Sequence, residues 1–277
     1  MKQIQPNVFD DMGKYWQEIA NKGPTKQQVQ FIKNNLFSNE NWILDLGCGT
    51  GRHTIPLTKE AYNIIGIDIS TTLLKIAKQH HSQSHFIQAD FQHLPFKEKT
   101  FTTALSIDNS FAYLKNKEAD LKSLKELHLT LQKDAILILD VFNYEQLRRK
   151  YKKLSIKNLP WLLIHTLIKH PNFITIYLLS LYKWRSYPTF LLLQKRNINP
   201  KTRQLIDLWI IKNKNNKTIQ QFHHTTHLYT LNQLQETLTK AGFNIKQIYG
   251  GYTNQTFTTK SNRLLITAKP VDNNKPT

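Results

Sequence analysis

Strand-like and helix-like runs alternate from Trp42 to Val141, and this alternation constrains the fold more than any other feature of the sequence. Strand-like runs lie at 42–46, 63–69, 85–88, 101–107 and 135–141, and 135–139 is apolar throughout. Runs with helical spacing lie between them, at 52–61, 71–80 and 118–131. Strands that alternate with helices of this length predict a parallel sheet covered by helices on both faces. We therefore predict an α/β, doubly wound fold.

The alternation stops after Asn143, and the segment that follows has a different character. Residues 144–187 are apolar and basic, and prolines at 160, 171 and 188 predict broken helices. Three further runs predict an antiparallel meander, at 190–198, 204–211 and 218–229. A helix at 231–241 and strands at 243–252 and 263–268 then resume the first pattern. The predicted domains are a helical cap over 1–40, a sheet domain over 41–143 and 230–270, an insertion over 144–229 that acts as a lid, and a disordered tail over 271–277.

Composition excludes several classes of protein. A hydrophobic content of 40% over 277 residues is enough for a sizeable core and excludes a disordered chain. Cys48 is the one cysteine, which excludes a disulfide framework and a cysteine zinc site and predicts a reducing compartment. The N-terminus lacks an apolar run of signal-peptide length, and no stretch reaches the roughly 18 apolar residues that span a bilayer. We therefore predict a cytoplasmic protein.

The charge of the chain is high and unevenly placed. The formal net charge is +19, and residues 146–206 contain 13 Lys and Arg but not one Asp or Glu. A segregated excess of positive charge predicts attraction to something anionic, such as nucleic acid, a membrane surface or an acidic substrate.

A glycine turn, Gly47-Cys48-Gly49-Thr50-Gly51, lies between the first strand and the helix that follows it. Residues without side chains let the backbone turn sharply and approach a ligand, and the start of the helix presents free N–H groups. An NAD-type loop has the spacing G-x-G-x-x-G, whereas here the third glycine is at 51 and position 52 is Arg. The spacing therefore favours S-adenosylmethionine (SAM) over a dinucleotide.

Two acidic residues follow the next two strands. Asp68 ends the second strand, 21 residues after Gly47. A carboxylate at this position can accept hydrogen bonds from both hydroxyls of a ribose. Asp90 follows the third strand, where it can accept from the exocyclic amine of an adenine. Both lie at the carboxyl ends of adjacent parallel strands, where open α/β sheets bind ligands. We predict that both residues contact the cofactor.

Three segments resemble successive motifs of the class I SAM-dependent methyltransferases. They are residues 44–53 around the glycine turn, Gly66-Ile67-Asp68-Ile69-Ser70, and Ala89-Asp90-Phe91. The resemblance covers 41–143 well and 225–270 loosely. It implies a Rossmann-like, mostly parallel sheet of seven strands in the order 3-2-1-4-5-7-6, with the last strand antiparallel.

The same resemblance implies roles for residues around the glycine turn. Asp45 is expected behind the methionine part of SAM, Ile69 and Phe91 are expected to flank the adenine, and the backbone near Ile107 is expected to contact the cofactor. With the residues named above, the predicted cofactor site comprises Asp45, Gly47, Cys48, Gly49, Gly51, Asp68, Ile69, Asp90, Phe91 and Ile107.

Two further segments resemble glycine N-methyltransferase and related small-molecule N-methyltransferases. Residues 109–114 resemble the segment N-S-F-A-H-L that lines the methyl-transfer site, with Tyr113 in place of the histidine. Residues 143–145 resemble N-Y-D, whose Asn meets the acceptor, with Glu145 in place of the acid. The segment that ends at Tyr229 resembles the lid strands of this group. The resemblance implies an acceptor site with catalytic roles for Asn109, Asn143 and Tyr229, and it implies that Tyr15 caps the cofactor.

Three histidines near the end of the insertion do not predict a metal site. On a strand, His223 and His227 share one face while His224 points away, so the three cannot converge on one ion. Neither a cysteine nor an acid lies nearby in the sequence. We therefore predict that the protein binds no metal.

Several roles stay open for the insertion. Its apolar runs at 161–168 and 173–182 are consistent with a lid or with a homodimer contact. The basic residues around them are also consistent with a peripheral contact on an anionic membrane, at the inner membrane face. Nucleic-acid binding is less favoured, because paired apolar runs are not what phosphate contacts require.

These patterns predict an enzyme, a SAM-dependent methyltransferase that acts on a small molecule at nitrogen or oxygen. The first alternative is an RNA methyltransferase with a basic face. The second is a non-catalytic protein that keeps the fold for binding or assembly. The intact glycine turn, together with Asp68 and Asp90, argues against the second alternative.

Overall fold

The computed structural model describes residues 8–36, 41–152 and 182–271. The chain divides into two compact units. The sheet unit comprises the described residues of 1–143 and 228–277, and the insertion unit comprises those of 144–227. No helix in these described ranges is long and apolar enough to cross a membrane.

The sheet unit alternates strands and helices as the sequence predicts. Up to the insertion, its elements are α1 (Val8–Asn21), α2 (Thr25–Lys33), β1 (Ile43–Leu46), α3 (Thr54–Lys59), β2 (Ile64–Asp68), α4 (Thr71–His80), β3 (His85–Gln88), β4 (Phe101–Ser106), a short 3-10 helix (Ser110–Tyr113), α5 (Lys117–Thr130) and β5 (Leu131–Phe142). The insertion unit contains α6 (Tyr144–Lys152), β6 (Tyr182–Ser186), β7 (Leu191–Asn199), β8 (Gln204–Lys212) and β9 (Thr218–His227). The sheet unit then ends with α7 (Leu231–Lys240), β10 (Phe243–Tyr249) and β11 (Arg263–Pro270).

The sheet of the first unit has seven strands in the order β10-β11-β5-β4-β1-β2-β3. The five strands from β1 to β5 pair in parallel, whereas β11 is antiparallel to both β5 and β10. The predicted strand order and the antiparallel last strand are therefore confirmed. In a parallel sheet the carboxyl ends of neighbouring strands meet at one edge, so β1, β2 and β4 deliver their following turns to the same place.

Consecutive residues of the central strands pack into two different cores. Leu44 and Leu46 of β1 lie in the larger core, whose other members include residues of α5 and α7. Ile43 lies in the second core, with Phe31 and Ile32 of α2. Because neighbouring side chains on a strand point to opposite faces, this division is the consequence of a sheet covered on both sides. It explains why the run 135–139 of β5 is apolar throughout.

Local side-chain caps determine where several helices begin. Ser70 accepts from the backbone N–H of Leu73 at the start of α4, and Asn116 accepts from Ala119 at the start of α5. Thr230 forms a capping box at the start of α7. At the end of α5 the sequence-based boundary is wrong, because Leu131 pairs with Phe101 and already belongs to β5.

The insertion unit contains a four-stranded antiparallel sheet in the order β6-β7-β8-β9. The predicted meander is confirmed, and within the described residues the helical prediction for 144–187 holds at α6 but is wrong at 182–186. Residues 182–186 form a strand, because aromatic and charged side chains alternate there and Trp184 pairs with Leu193 across the hairpin. The rest of that prediction, 153–181, lies outside the described residues.

Gly66 of β2 is expected to be intolerant of a side chain. A Cβ at this position would lie 2.8 Å from both the Cys48 Sγ and the Thr54 Oγ1, in a buried part of the sheet. Gly66→Ala should therefore lower the free energy of unfolding by about 1–3 kcal/mol through overpacking. Chemical denaturation measures this change.

The matched control for this prediction is Gly251→Ala. A Cβ there would meet its nearest neighbour, the Gln255 Oε1, at 3.4 Å, which is an ordinary contact. This variant should change stability by no more than about 0.5 kcal/mol. Equal effects in the two variants would contradict the packing that the structure gives to Gly66.

Candidate functional site

The glycine turn between β1 and α3 forms the centre of the site. Gly47, Gly49 and Gly51 all have positive φ angles, of 73°, 55° and 78°. Other residues rarely adopt this backbone conformation, so the three glycines are what allows the chain to reverse here. The backbone N–H groups of Gly47 and Cys48 both donate to the carbonyl of Ile67, at 2.8 and 3.0 Å, which anchors the turn to β2.

Asp68, at the end of β2, orients the middle of the glycine turn. Its Oδ2 accepts from the backbone N–H of Gly49 at 2.9 Å, and its Oδ1 accepts from that of Ser70 at 2.9 Å. The carboxyl is buried, and this burial raises its pKa to about 6 although both hydrogen bonds oppose the shift. Each carboxylate oxygen has a second lone pair, so the group can still accept hydroxyls from a ligand.

Three predicted site segments meet at Gly47. A Cβ on Gly47 would lie 2.6 Å from the Ser110 Cβ and 3.2 Å from the Phe91 Cζ, so only glycine leaves room for these neighbours. The Ser110 hydroxyl is 3.3 Å from the Gly47 carbonyl and 2.9 Å from that of Ile107. The structure therefore brings the glycine turn, the segment after β3 and the segment after β4 together, as the sequence predicts.

Asp45 and Cys48 support the turn from behind. The Thr54 hydroxyl donates to Asp45 Oδ2 at 2.7 Å, and burial raises the pKa of this carboxyl to about 6. Cys48 is buried, and its sulfur is among the atoms closest to the position that a Cβ on Gly66 would take. Burial also raises the pKa of its thiol well above the ordinary value, which keeps it uncharged.

The residues predicted to hold the adenine lie on the more open side of the site. Ile69 is 47% exposed, which is unusual for isoleucine and leaves an apolar surface beside the turn. Asp90 and Phe91 are partly exposed. One oxygen of Asp90, Oδ1, accepts from the backbone N–H of Gln92 at 2.9 Å.

Helix α1 is fixed next to the glycine turn, by contacts that the sequence does not reveal. Asp10 accepts from the Ser70 hydroxyl at 2.6 Å and from the backbone N–H of Thr72 at 3.1 Å, which joins α1 to the start of α4. Trp16 is the neighbour that a Cβ on Gly49 would meet first, at 3.6 Å. Tyr15, the residue predicted to cap the cofactor, is buried in the same helix.

Asn109 lies in a tight turn after β4. Asp108 and Asn109 both have positive φ angles, of 60° and 73°, which is uncommon for residues with side chains. The backbone N–H of Asn109 donates to the Asp140 carbonyl at 3.0 Å, and its Oδ1 accepts from the backbone N–H of Phe142 at 3.0 Å. These bonds hold the strained turn beside β5.

A buried charge network that the sequence analysis missed supports this turn. Arg263 forms two hydrogen bonds with the Asp140 carboxylate, each 2.7 Å long, and Asp140 also accepts from the Tyr252 hydroxyl. The second oxygen of Asp140 accepts from the backbone N–H of Asp108 at 2.8 Å. The signal was present in the sequence, since Asp140 is the one acid in the apolar run 135–141, which lies within β5.

Arg52 extends the network to α2. One guanidinium nitrogen lies 2.5 Å from Asp108 Oδ2, and the other contacts the side chains of Thr25 and Gln28. The arginine that follows the third glycine therefore connects the turn after β4 to the cap of the sheet.

Asn143 and Tyr229 lie next to each other, joined by a short parallel backbone bridge. The Asn143 amide donates to the carbonyls of Ser261 at 2.8 Å and Thr258 at 3.3 Å. Tyr229 is buried in the larger core, and its hydroxyl donates to Asp120 of α5. Burial and the nearby Asp120 charge raise the pKa of this hydroxyl. The acceptor roles of both residues stay predictions.

His223 and His224 lie on opposite faces of β9, as the sequence predicts. His223 is exposed, whereas His224 is buried on the other face, where its Nε2 lies 3.5 Å from Asp207 Oδ2. Within the described residues, no group of three or more His, Cys, Asp or Glu side chains could hold a metal ion.

Known sequences share the part of the chain that forms this site. The family described as "Methyltransferase domain" matches residues 43–134. A putative methyltransferase YqeM of Bacillus subtilis is 28% identical over 137 residues, which are 48% of this chain and 55% of that protein. A glycine/sarcosine N-methyltransferase of Aphanothece halophytica is 27% identical over 137 residues, which are 47% of this chain and 52% of that protein. The match therefore spans about half the length of these relatives.

Solved structures share the fold over most of the chain. The CcbJ methyltransferase from Streptomyces caelestis aligns with a TM-score of 0.72, 14% identity, and coverage of 95% of this chain and 96% of that one. A SAM-bound amino pentose methyltransferase from Micromonospora echinaspora aligns with a TM-score of 0.62, 11% identity, and coverage of 98% and 100%. At these identities the likeness shows the fold.

SAM binding should weaken as the pH falls through about 6, because that is where Asp68 takes up a proton. A neutral carboxyl accepts weaker hydrogen bonds from ribose hydroxyls than a carboxylate does. The effect on folding has the opposite sign. A pKa raised in the folded chain means that ionised Asp68 disfavours folding at neutral pH, and this cost is relieved as the pH falls. Calorimetric titrations across this range measure the affinity.

Asp68→Asn is the control for this pH dependence, because an amide does not titrate. Its SAM affinity should be lower than that of the parent protein at neutral pH and should change little with pH. The same slope in both proteins would assign the pH dependence to another group, of which buried Asp45 is the first candidate, since its pKa is also about 6.

Arg263→Met should lower the free energy of unfolding by about 3–5 kcal/mol, because it leaves the buried Asp140 charge without its partner. Lys246→Met, which removes an exposed charge from β10, should change it by no more than about 0.5 kcal/mol. Denaturant unfolding measures both. A small loss in Arg263→Met would mean that Tyr252 and the backbone alone satisfy Asp140.

Proposed function

We propose that this chain, a class I SAM-dependent methyltransferase by sequence and fold, transfers the methyl group of SAM to nitrogen or oxygen of a small-molecule acceptor. The observation that carries the proposal is the convergence of the glycine turn, Asp68 and Ser110 at the carboxyl edge of the sheet. The choice of a small molecule is supported by the two named relatives that act on glycine/sarcosine and on an amino pentose.

The residues present are compatible with SAM. A Cβ on Gly49 would find its nearest neighbours at 3.6 Å or more, so the turn leaves free space on that side. Asp68 supplies an anionic acceptor near this space, and Ile69 supplies an exposed apolar surface for a flat ring. A hydrogen-bonding group for the ribose, an apolar surface for the adenine and side-chain-free backbone are the features that such a cofactor requires.

When bound, SAM supplies an electrophilic methyl group on a sulfonium. Transfer of this group needs an in-line approach, a dry site and a proton acceptor rather than a covalent intermediate on the protein. The chain's own contribution is positioning. Ser110 joins the turn after β4 to the glycine turn, and the Asp140 network holds Asp108 and Asn109 in their strained conformations.

The proposed acceptor site includes Asn109, and the predicted roles of Asn143 and Tyr229 belong to the proposal as well. Their buried contacts with Ser261 and Asp120 give both of these side chains a part in folding. Loss of turnover in a variant of either residue therefore counts for the acceptor role only where stability and SAM affinity are retained.

The partners proposed beyond the acceptor concern the insertion. A homodimer contact and a peripheral contact with an anionic membrane were expected from the apolar runs at 161–168 and 173–182. Apart from Tyr182, these runs lie outside the described residues. The cytoplasmic location is likewise a proposal.

Incubating the protein with SAM carrying a labelled methyl group and with a cell extract should label products of low molecular mass. Asp68→Ala should label them far less, because losing charge-assisted hydrogen bonds weakens SAM binding by on the order of 1.5–3 kcal/mol. Asp134→Ala, which removes an exposed acid from β5, should behave like the parent protein. Fractionation of the products by size and polarity is the measurement.

Other outcomes of this experiment would identify the alternatives. Label in ribonuclease-sensitive material of high molecular mass would contradict a small acceptor and favour RNA. Calorimetric SAM binding without labelled product in any extract would favour a non-catalytic binding protein.

A further inference from the structure

The insertion unit concentrates the positive charge of the chain. Residues 144–227 contain 16 Lys and Arg but only two acids, Glu145 and Asp207. Asp207 is buried and forms two hydrogen bonds with Arg196, of 2.9 and 3.0 Å. Burial alone would raise the pKa of Asp207, but hydrogen bonding from His224 and the charge of Arg196 hold it below the ordinary value. This acid is therefore not available to neutralise the other cations.

Part of this charge is concentrated on one face of the edge strand β6. Lys183 and Arg185 are two residues apart on the strand, so their side chains share a face. Their partners across the hairpin are Gln194 and Leu192, which are almost completely buried. Lys183 and Arg185 therefore lie at the edge of the buried face of this sheet, and Trp184 lies on the opposite face.

Lys150 and Arg196 add to the positive charge around Lys183. The positive charge of Arg185 lowers the pKa of Lys183 most, followed by burial and by the charges of Lys150 and Arg196. Lys150 belongs to α6, which packs against β7, and Arg196 lies on β7. Among the described residues, neither Lys183 nor Arg185 forms an ion pair with an acid. The folded unit therefore bears an electrostatic repulsion that an anion would relieve.

We propose that Lys183 and Arg185 of β6 form a binding site for a phosphate group. Arginine binds phosphate through its planar fork and lysine binds it as a point charge, so the two together suit this anion. The site does not depend on the proposed function. A phosphorylated small molecule and a phospholipid headgroup share this chemistry, and the experiment separates them.

The probe is inorganic pyrophosphate, which is added to the full chain without SAM. Calorimetry should detect binding by the parent protein, and the melting temperature should rise with pyrophosphate concentration. Lys183→Gln and Arg185→Gln should each lower the affinity at least about tenfold. Lys217→Gln, at the exposed turn between β8 and β9, is the matched control and should keep the parent affinity. Equal losses in Lys183→Gln and Lys217→Gln would overturn the site, because they would show delocalised attraction only.

A second measurement separates a ligand site from a structural role. Without the anion, Lys183→Gln should melt at the same temperature as the parent protein or higher, because the substitution removes repulsion. A lower melting temperature in this variant would contradict the proposal, since it would mean that Lys183 stabilises the fold. Weakened anion binding in a variant of unchanged or raised stability is the combination that supports a binding site.

Two further arms distinguish the sources of phosphate. Co-sedimentation uses vesicles of phosphatidylglycerol and of phosphatidylcholine, and a parallel binding assay uses a single-stranded RNA oligonucleotide. In one outcome, pyrophosphate competes with phosphatidylglycerol vesicles for the parent protein, while Arg185→Gln binds neither the pyrophosphate nor the vesicles. This outcome would support the site and identify a headgroup as its ligand. Binding to RNA or vesicles without any binding of pyrophosphate would overturn it. SAM affinity is measured separately on the same samples, so failure of the proposed function leaves this test intact.

Discussion

The ion pair between Asp140 and Arg263 is the interaction on which the arrangement of the site depends. It joins β5 to β11, and through the backbone N–H of Asp108 it also holds the turn after β4. Burial raises the pKa of Asp140 even though the Arg263 charge opposes the shift. A buried charge of this kind is tolerated only while its partners stay in place, so it favours one arrangement of three segments over the alternatives.

Much of the sheet unit could be predicted because its signals are local. Parallel strands covered on both faces are rich in apolar residues. Helix α4 and strand β3 have the predicted bounds because a cap or a turn lies at each end. The glycine turn was predictable for the same reason, since positive φ angles leave few choices of residue. The family resemblance then supplied the strand order, which no local pattern contains.

The contacts around the site were harder to predict, because they join residues far apart in the sequence. Asp10 contacts Ser70, and Trp16 lies near Gly49, but the amphipathic pattern of α1 gives no sign of which turn it faces. The sequence analysis did not predict β6, because the whole segment 144–187 is apolar and basic. Within it, the short alternation of aromatic and basic residues at 182–186 does not stand out. Asn143 and Tyr229 were placed by resemblance alone, and their buried partners could be known only from the fold.

The position of β11 has a consequence for how the chain is made. This strand lies between β5 and β10, and Arg263 follows Asp140 by 123 residues. At a synthesis rate of about 5–20 residues per second, roughly 6–25 seconds separate the emergence of the two partners from the ribosome. During that interval one edge of the apolar strand β5 has no neighbour, and such an edge can pair with other chains. The sheet can therefore be completed only after the insertion unit has been synthesised. The nascent protein is most prone to aggregation before β11 emerges.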